Sequence, residues 1–408
     1  MRSVAEAGSQ VISGFLFAAI RLIMRDINQL DREFLVRSRG MDLRLLSGMS
    51  TRYGILAMAA LVTGISMSAR AESPVSKSAD SALETLTSQS ETSVPLAILQ
   101  MPPVSNFYSP YAFVVDKKAR TLSVWHSTAA GLKRVAQFPA DLGKATGDKL
   151  RRNDHKTPEG IYFLLERHEG ASLDFKLYGK RAFTTDYPNF FDRLEGKTGD
   201  GIWLHAVPDE TPLTRGSRGC VVVRNDVILD LTQYVKLGRT PILIQNSTEF
   251  VEAKDHGRAT NELAHWLENW RAAWESKNVD SYIQHYANDF RSNNMNREQW
   301  RRYKQRLTSA YKSIKVNLSR PAIFSDRNRA VVRFIQEYQS DRHGDMGEKV
   351  LYLRKTNEGY RIVGEVWSEE SSQLARQEIE AARGNQVLGC SPDKAGDCVR
   401  TSAATTAQ

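Results

Sequence analysis

A histidine and a cysteine near the middle of this chain have the types and the spacing needed for acyl transfer. His205 ends the run 201–205, and Cys220 follows fifteen residues later at the end of a Ser-Arg-Gly-Cys run. An imidazole that accepts the thiol proton can hold a thiolate–imidazolium pair, and the thiolate attacks acyl carbon. A glycine before the cysteine lets the backbone turn tightly and leaves the sulfur accessible. The pair therefore predicts a cysteine acyltransferase.

The residues around Cys220 favour a reactive thiol over a buried structural one. The approach from Arg215 to Gly219 is polar and flexible. Arg218 can add positive potential, and the backbone N–H groups of Gly219 and Cys220 can face a developing oxyanion. A buried core histidine is the alternative interpretation of His205. Since no further histidine or cysteine completes a zinc ligand set with this pair, no metal site is predicted.

Short β-prone runs separated by turn residues must position this pair. They begin at Tyr111 and end with the run 242–244. Asn225 has the type of a helix N-cap, which predicts a helix from Asp226 to about Leu237. This pattern predicts a mainly β domain.

A second domain follows with a different periodicity. Trp266, Trp270 and Trp274 recur at helical spacing, and a later helix and several β runs end at Trp367. Helices followed by an antiparallel sheet predict an α+β domain. The predicted division is a signal region over 1–71, a linker over 72–104, a catalytic domain over 105–247, a linker over 248–257, an α+β domain over 258–370 and a polar tail over 371–408. A charged helix is predicted from about Glu369, leading into the polar tail.

The N-terminal region has the layout of a secretory signal peptide. Residues 54–67 are mostly apolar and precede a small-residue cleavage pattern that ends at Ala71. A start at Met41 or Met49 would give a signal peptide of ordinary length. We therefore expect export to the periplasm, with an uncleaved inner-membrane anchor as the alternative.

The charge balance also fits the cell envelope. The chain of 408 residues has 56 basic and 47 acidic side chains and a net charge of +9. It has no lysine–arginine run and no nucleic-acid motif, so we expect an anionic envelope surface rather than nucleic acid as its partner. Cys390 and Cys398 lie in the polar tail, and the sequence leaves open whether they form a disulfide.

Residues 105–247 resemble the catalytic domain of the L,D-transpeptidases, specifically the Gram-negative branch. The resemblance rests on His205, the Ser-Arg-Gly-Cys run, the upstream Lys-Thr-Pro-Glu-Gly run from Lys156, and residues 184–189. It implies a β-sandwich with short helices that acts on peptidoglycan stem peptides. The enzyme would attack the L-centre carbonyl of a diamino acid and release D-alanine, without a metal or an organic cofactor.

The same resemblance assigns the site residues. Cys220 is implied as the nucleophile and His205 as the base, oriented by the carbonyl of Ala206. Gly219 and Arg218 complete the catalytic set, with Arg218 standing where many members have a second histidine. The residues implied or proposed to hold the stem peptide and its carboxylates are Tyr178, Ser217, Arg224, Lys180 and Arg215. A solvated basic loop is the alternative for Arg215 and Lys180.

The second domain resembles the cone-shaped α+β fold of nuclear transport factor two. Such folds host catalysis, ligand binding or dimerisation, so an envelope protein, a glycan or a second copy of the chain are all candidate partners. The domain combination is similar to L,D-carboxypeptidases that control cell shape, which keeps water open as the acceptor beside an amine. A non-catalytic envelope-binding module, or a function that resides in the second domain, are the remaining alternatives.

Overall fold

The computed structural model describes residues 93–387. The predicted signal region and the two cysteines of the tail lie outside these residues. Strands are numbered β1 to β18 and helices α1 to α7 along the chain. No helix within 93–387 is both long enough and apolar enough to cross a membrane.

The first domain is built on a sheet of eight strands in the order β5-β4-β3-β10-β6-β7-β8-β9. The β10–β3 and β8–β9 pairs are parallel and the other neighbours are antiparallel. The strands are β3 (Tyr111–Asp116), β4 (Thr121–Thr128), β5 (Gly131–Pro139), β6 (Gly160–Glu169), β7 (Arg181–Thr185), β8 (Trp203–Ala206), β9 (Val221–Val223) and β10 (Pro241–Gln245). Three short helices accompany them: α1 (Phe175–Tyr178), α2 (Phe190–Leu194) and α3 (Asn225–Leu231).

Helix α3 is shorter than predicted and begins differently. Its N-cap is Arg224, and after Leu231 the chain continues as a 3₁₀ turn (Thr232–Tyr234). Asn225 does not cap the helix, because its side chain accepts a hydrogen bond from the Lys180 amide and donates one to Asp209.

The second domain packs helices against another sheet of eight strands. Seven strands follow the order β13-β12-β18-β17-β16-β15-β2, and β14 also pairs with β16. The strands are β2 (Ile98–Gln100), β12 (Tyr286–Ser292), β13 (Met295–Asn296), β14 (Ile314–Leu318), β15 (Ala322–Asp326), β16 (Arg329–Ser340), β17 (Gly344–Thr356) and β18 (Gly359–Glu369). The helices are α4 (Ala253–Glu275), α5 (Val279–Ile283), α6 (Arg297–Ala310) and α7 (Gln373–Val387).

The tryptophan stripe of α4 forms the core of this domain. Trp270 and Trp274 are buried together with Leu263 and Leu267, at the three- and four-residue spacing of one helix face. The prediction of a mainly β domain followed by an α+β domain is confirmed.

Two predicted linkers contain regular structure. Residues 93–100 of the predicted first linker form β1 (Ser93–Pro95) and β2, and β2 extends the sheet of the second domain. The predicted second linker contains β11 (Phe250–Glu252), which pairs with β1. These strands are only three residues long and their pairing partners are distant in sequence, so the sequence did not reveal them. The charged helix predicted from about Glu369 is α7, which begins at Gln373.

The two domains share an apolar core. In β3, Phe113 and Val115 face the core of the first domain, whereas Ala112 and Val114 face the second domain. Burial on both faces explains the continuous apolar run of this strand. Across the boundary, the ring of Phe163 lies 5.9 Å from that of Phe324.

Candidate active site

Two parallel strands bring the histidine and the cysteine together. His205 lies in β8 and pairs in register with Val222 of β9, two residues after Cys220. The intervening loop returns the chain to the same edge of the sheet. Cys220 and His205 both line one cavity of about 520 Å³, a size that suits a small peptide or ligand.

The Cys220 side chain is partly exposed in the cavity, and its sulfur is held as a thiol. The Sγ atom lies 3.5 Å from the Gly201 carbonyl oxygen, which accepts its S–H. Burial raises the pKa of the thiol to about 11, although a backbone hydrogen bond from Trp203 and the charge of Lys149 oppose this shift.

Burial likewise keeps His205 neutral. The ring is 5% exposed, and burial lowers its pKa to about 4 against the opposing effect of the Ala206 carbonyl. Nδ1 lies 2.6 Å from that carbonyl oxygen. Since a carbonyl only accepts, Nδ1 carries the hydrogen and Nε2 is the free base.

The raised pKa of the Cys220 thiol and the lowered pKa of the His205 imidazole both disfavour the thiolate–imidazolium pair expected from the sequence. At neutral pH the resting groups are a thiol and a neutral imidazole. Both charged forms lose hydration in this buried setting. In the resting site the proton therefore stays on Sγ, and Nε2 of His205 is unprotonated.

Ser217 and Gly219 fix the turn before Cys220. The Ser217 hydroxyl donates to the Cys220 carbonyl at 2.8 Å and accepts from the Gly219 amide at 3.1 Å. Gly219 has φ of 133°, and an added Cβ would lie 2.7 Å from the Lys156 carbonyl oxygen. Only glycine fits this position. Because its N–H is already bound, Gly219 can donate to an oxyanion only after release from Ser217.

Asp141 anchors the loop that precedes Cys220 and was missed in the sequence. It is buried, accepts the backbone N–H groups of Arg215 and Gly216, and pairs with Arg120 at 2.8 Å. A single aspartate after a β run carries no motif. Its role becomes visible only when the fold brings the loop to it.

Three of the predicted substrate-binding residues do not line the cavity. Arg224 donates to the carbonyl of Thr211 at 2.6 Å, and Arg215 reaches the carbonyls of Gly143 and Lys117. The side chain of Lys180 is exposed elsewhere. Two of these cations thus bind backbone that the sequence did not place beside them.

Arg218, Ser217 and Tyr178 do line the cavity. Arg218 is exposed, and its guanidinium has no hydrogen bond or ion pair with any other residue in the 93–387 range. The Tyr178 ring lies 5.1 Å from that of His205 and 4.8 Å from that of Trp203. Tyr178 therefore forms one wall beside the base.

Three further cations line the same cavity and were not among the predicted site residues. They are Lys144, Lys149 and Arg152. The Lys149 ammonium is held by Asp154 at 2.8 Å, and Arg152 pairs with Asp200. Carboxylates therefore compensate the charges of Lys149 and Arg152. Lys144, which has no ion pair within residues 93–387, adds its positive charge to that of Arg218.

Comparisons with known proteins agree with this geometry. Residues 110–244 match the model of the YkuD family, the L,D-transpeptidase catalytic domain. Residues 262–366 match the Cds6 C-terminal NTF2-like domain. A comparison with curated proteins found no match.

Two solved structures cover both domains. Bd1075 from Bdellovibrio bacteriovorus is 44% identical over 69% of this chain and 100% of its own, with a TM-score of 0.64. The helical cell shape determining protein Pgp2 from Campylobacter jejuni is 25% identical over 66% of this chain and 96% of its own, with a TM-score of 0.54.

The fold and the site therefore define the class of L,D-transpeptidase or L,D-carboxypeptidase-type enzymes, which act on peptidoglycan peptides. This chain belongs to the L,D-transpeptidase catalytic-domain family and carries a C-terminal NTF2-like domain. The resemblance inferred from the sequence is confirmed for both domains.

Proposed function

We propose that this protein is an exported cysteine acyltransferase that cleaves the terminal D-alanine from peptidoglycan stem peptides through a thioester on Cys220. The observation that carries the proposal is the shared cavity of Cys220 and His205, with Nε2 of His205 free to accept a proton. Export to the periplasm rests on the signal-like sequence before Glu72.

The proposed reaction balances with these two residues alone. Cys220 Sγ bonds to the L-centre carbonyl carbon while its proton passes to Nε2 of His205. The carbon–nitrogen bond to D-alanine then breaks, and His205 returns the proton to the leaving amine. An amine or water next attacks the thioester, gives a proton to Nε2, and expels the thiolate, which recovers that proton.

We propose amine transfer as the family activity, with hydrolysis as the alternative. The two reactions share the acyl-enzyme and differ only in the acceptor. The cations that line the cavity support binding of carboxylate-bearing stem peptides. The name of the Campylobacter relative supports a role in cell shape.

The acyl-enzyme provides the test. Wild-type protein incubated with disaccharide tetrapeptide should gain the mass of the acyl group without D-alanine, located on Cys220. His205→Ala should form the adduct at least about a hundredfold more slowly, as expected for loss of a general base. His168→Ala, which alters a histidine stacked on Trp203, is the matched control. Absence of a Cys220 adduct under turnover conditions would refute the proposal.

We further propose that the C-terminal domain binds an envelope glycan or peptide through a second cavity. This cavity of about 390 Å³ is lined by aromatic rings and by Lys304. The Lys304 ammonium lies 4.1 Å from the Trp274 ring centroid and 4.7 Å from that of Trp300. It forms no ion pair or hydrogen bond within residues 93–387. A carboxylate with an apolar face would satisfy it.

Binding to purified sacculi tests this second proposal. Cys220→Ala protein, which cannot turn over, should bind, and the added change Lys304→Ala should weaken binding about tenfold or more, as expected for loss of a charge-assisted contact. Lys254→Ala, an exposed lysine on α4, is the control. Equal binding by the Lys304 and Lys254 variants would contradict the proposal.

A further inference from the structure

One stretch of the first domain touches the C-terminal domain at its start and the nucleophile at its end. This connecting segment, residues 189–201, comprises α2 and the loop that follows it. Its last residue, Gly201, provides the carbonyl that accepts the Cys220 thiol at 3.5 Å. Contacts at its first half can therefore influence the sulfur.

The C-terminal domain contacts the start of the connecting segment through packing and an ion pair. The Phe190 ring stacks on Tyr352 with centroids 4.6 Å apart. It also lies directly against Gly364, where an added Cβ would overlap the ring. Glu195 accepts a hydrogen bond at 2.7 Å from Arg329, which is 7% exposed. An aromatic stacking contact and an ion pair between buried Arg329 and partly exposed Glu195 thus fix this end.

A buried cation ties the middle of the connecting segment to a cavity-lining loop. The Lys197 ammonium lies 3.1 Å from Asp192 within α2 and 2.8 Å from Asp148. Its side chain is 2% exposed. Asp148 directly precedes Lys149, which lines the catalytic cavity. Since breaking a buried pair leaves an uncompensated charge, this link is costly to open.

The end of the connecting segment is hydrogen-bonded to the same loop. The Thr198 amide donates to Leu150 at 3.0 Å, and the Thr198 hydroxyl accepts from Arg152 at 3.1 Å. Residues 199–202 then line the catalytic cavity beside Cys220. A continuous series of contacts therefore runs from Arg329 to the sulfur.

We propose that the C-terminal domain positions the nucleophile through the connecting segment, with Arg329 and Glu195 as positioning residues for Cys220. Neither side chain lines the catalytic cavity. Their contact holds α2, α2 holds Lys197 and the following loop, and that loop places the Gly201 carbonyl at the thiol. The inference rests on the proposed function only where turnover is the readout.

The test compares variants on the two sides of the contact. Glu195→Gln and Arg329→Gln should each change the rate constant of Cys220 alkylation by iodoacetamide, and lower kcat for D-alanine release, by about three- to tenfold. KM should stay within about twofold, because the cavity lining is unchanged. Arg329→Gln also breaks the buried ion pair with Asp326, and Glu195 also lies 3.4 Å from Lys197. The double variant should therefore show less than the sum of the two single effects, because the two substitutions share one contact. Arg329→Lys should recover part of the loss.

Arg354→Gln is the matched control. Arg354 is the cross-strand neighbour of Arg329 and pairs with Asp289 at 2.9 Å, within the C-terminal domain. The inference would be overturned if the Glu195 and Arg329 variants had the same alkylation rate constant and the same kcat as Arg354→Gln. If Arg329→Gln fails to fold, Glu195→Gln decides, because the Glu195 side chain is 44% exposed.

A substitution at the aromatic stacking contact gives an independent test. Gly364→Ala should displace Phe190 and reproduce the change in alkylation, whereas Gly257→Ala, which has open space around it, should not. A Gly364→Ala alkylation rate equal to that of wild type would overturn the inference. Alkylation needs no substrate, so absence of turnover in wild type would refute the proposed function while leaving this comparison intact.

Discussion

Loss of hydration sets the protonation of Cys220 and of His205. The pKa of the thiol rises and that of the imidazole falls. Two neutral groups cost less in such a setting than an ion pair that lacks further partners. In the proposed mechanism, the proton therefore moves from sulfur to imidazole as the substrate carbonyl is attacked.

The pH dependence of Cys220 alkylation reports this protonation state. With a thiol pKa of about 11, the rate with iodoacetamide should rise about tenfold per pH unit from pH 7 to pH 9. The measurement is intact mass against time across this range. A rate that is level from pH 6 to pH 9 would instead reveal a stable thiolate–imidazolium pair.

Lys304 should make stability depend on pH in the opposite sense from a salt-bridged lysine. Burial lowers its pKa to about 7, helped by the charge of Lys349. At pH values between about 7 and the ordinary lysine pKa of ~10.4, Lys304 binds a proton in the unfolded chain but not in the folded protein. Its contribution to stability therefore rises with pH. Lys304→Met should therefore stabilise the protein most below pH 7.

The measurement is urea unfolding of wild type and Lys304→Met at pH 6, 7, 8 and 9. The difference in the free energy of unfolding should shrink steadily above pH 7. A difference that is constant with pH would show that Lys304 keeps an ordinary pKa in the folded protein.

Residue types with a fixed spacing were predictable at this site, and the targets of long cations were not. Cys220 and His205 follow from a local motif, and the family resemblance implies the Ala206 carbonyl. Arg215 and Arg224 look like ligands for carboxylates in sequence, yet in the fold they bind backbone carbonyls. A flexible basic side chain reaches whichever acceptor the tertiary structure offers, and the sequence does not reveal it.

At the scale of the elements, hydrogen bonds to Asp141 hold the loop that precedes Cys220. Asp141→Asn preserves its shape but removes the charge that accepts from Arg215, Gly216 and Arg120. We expect a loss of about 1–3 kcal/mol in the free energy of unfolding, the range for buried charged hydrogen bonds. Urea unfolding measures it.

Asp200→Asn is the control, since its ion pair with Arg152 is exposed and should contribute less than about 1 kcal/mol. Equal losses in the two variants would contradict an anchoring role for Asp141.

Whether an element could be predicted depended on whether its own residues, or only its distant pairing partners, stabilise it. Helix α4 and the apolar strands were predictable because the spacing of their apolar residues indicates which side chains are buried. The strands within 93–100 were not, because they pair with strands that lie far along the chain.

At the scale of the whole molecule, the shared core makes the two domains one cooperative unit. Phe324 is 1% exposed and packs on Phe163 across the boundary. Phe324→Ala should lower the free energy of unfolding by about 3–5 kcal/mol. Near-ultraviolet circular dichroism and calorimetry should both record one transition, at a lower temperature than wild type. Two separated transitions in the wild-type protein would contradict the single unit.

The most direct test of the central claim is product analysis of purified muropeptides by mass spectrometry, with residues 72–408 as wild type and as Cys220→Ala. The wild-type protein should remove D-alanine from tetrapeptides, and Cys220→Ala should remove none. New 3–3 linked dimers or exchanged D-amino acids would identify an amine acceptor, and tripeptide monomers alone would identify water. Tetrapeptides left unchanged by the wild-type protein, or changed equally by Cys220→Ala, would contradict a cysteine acyltransferase.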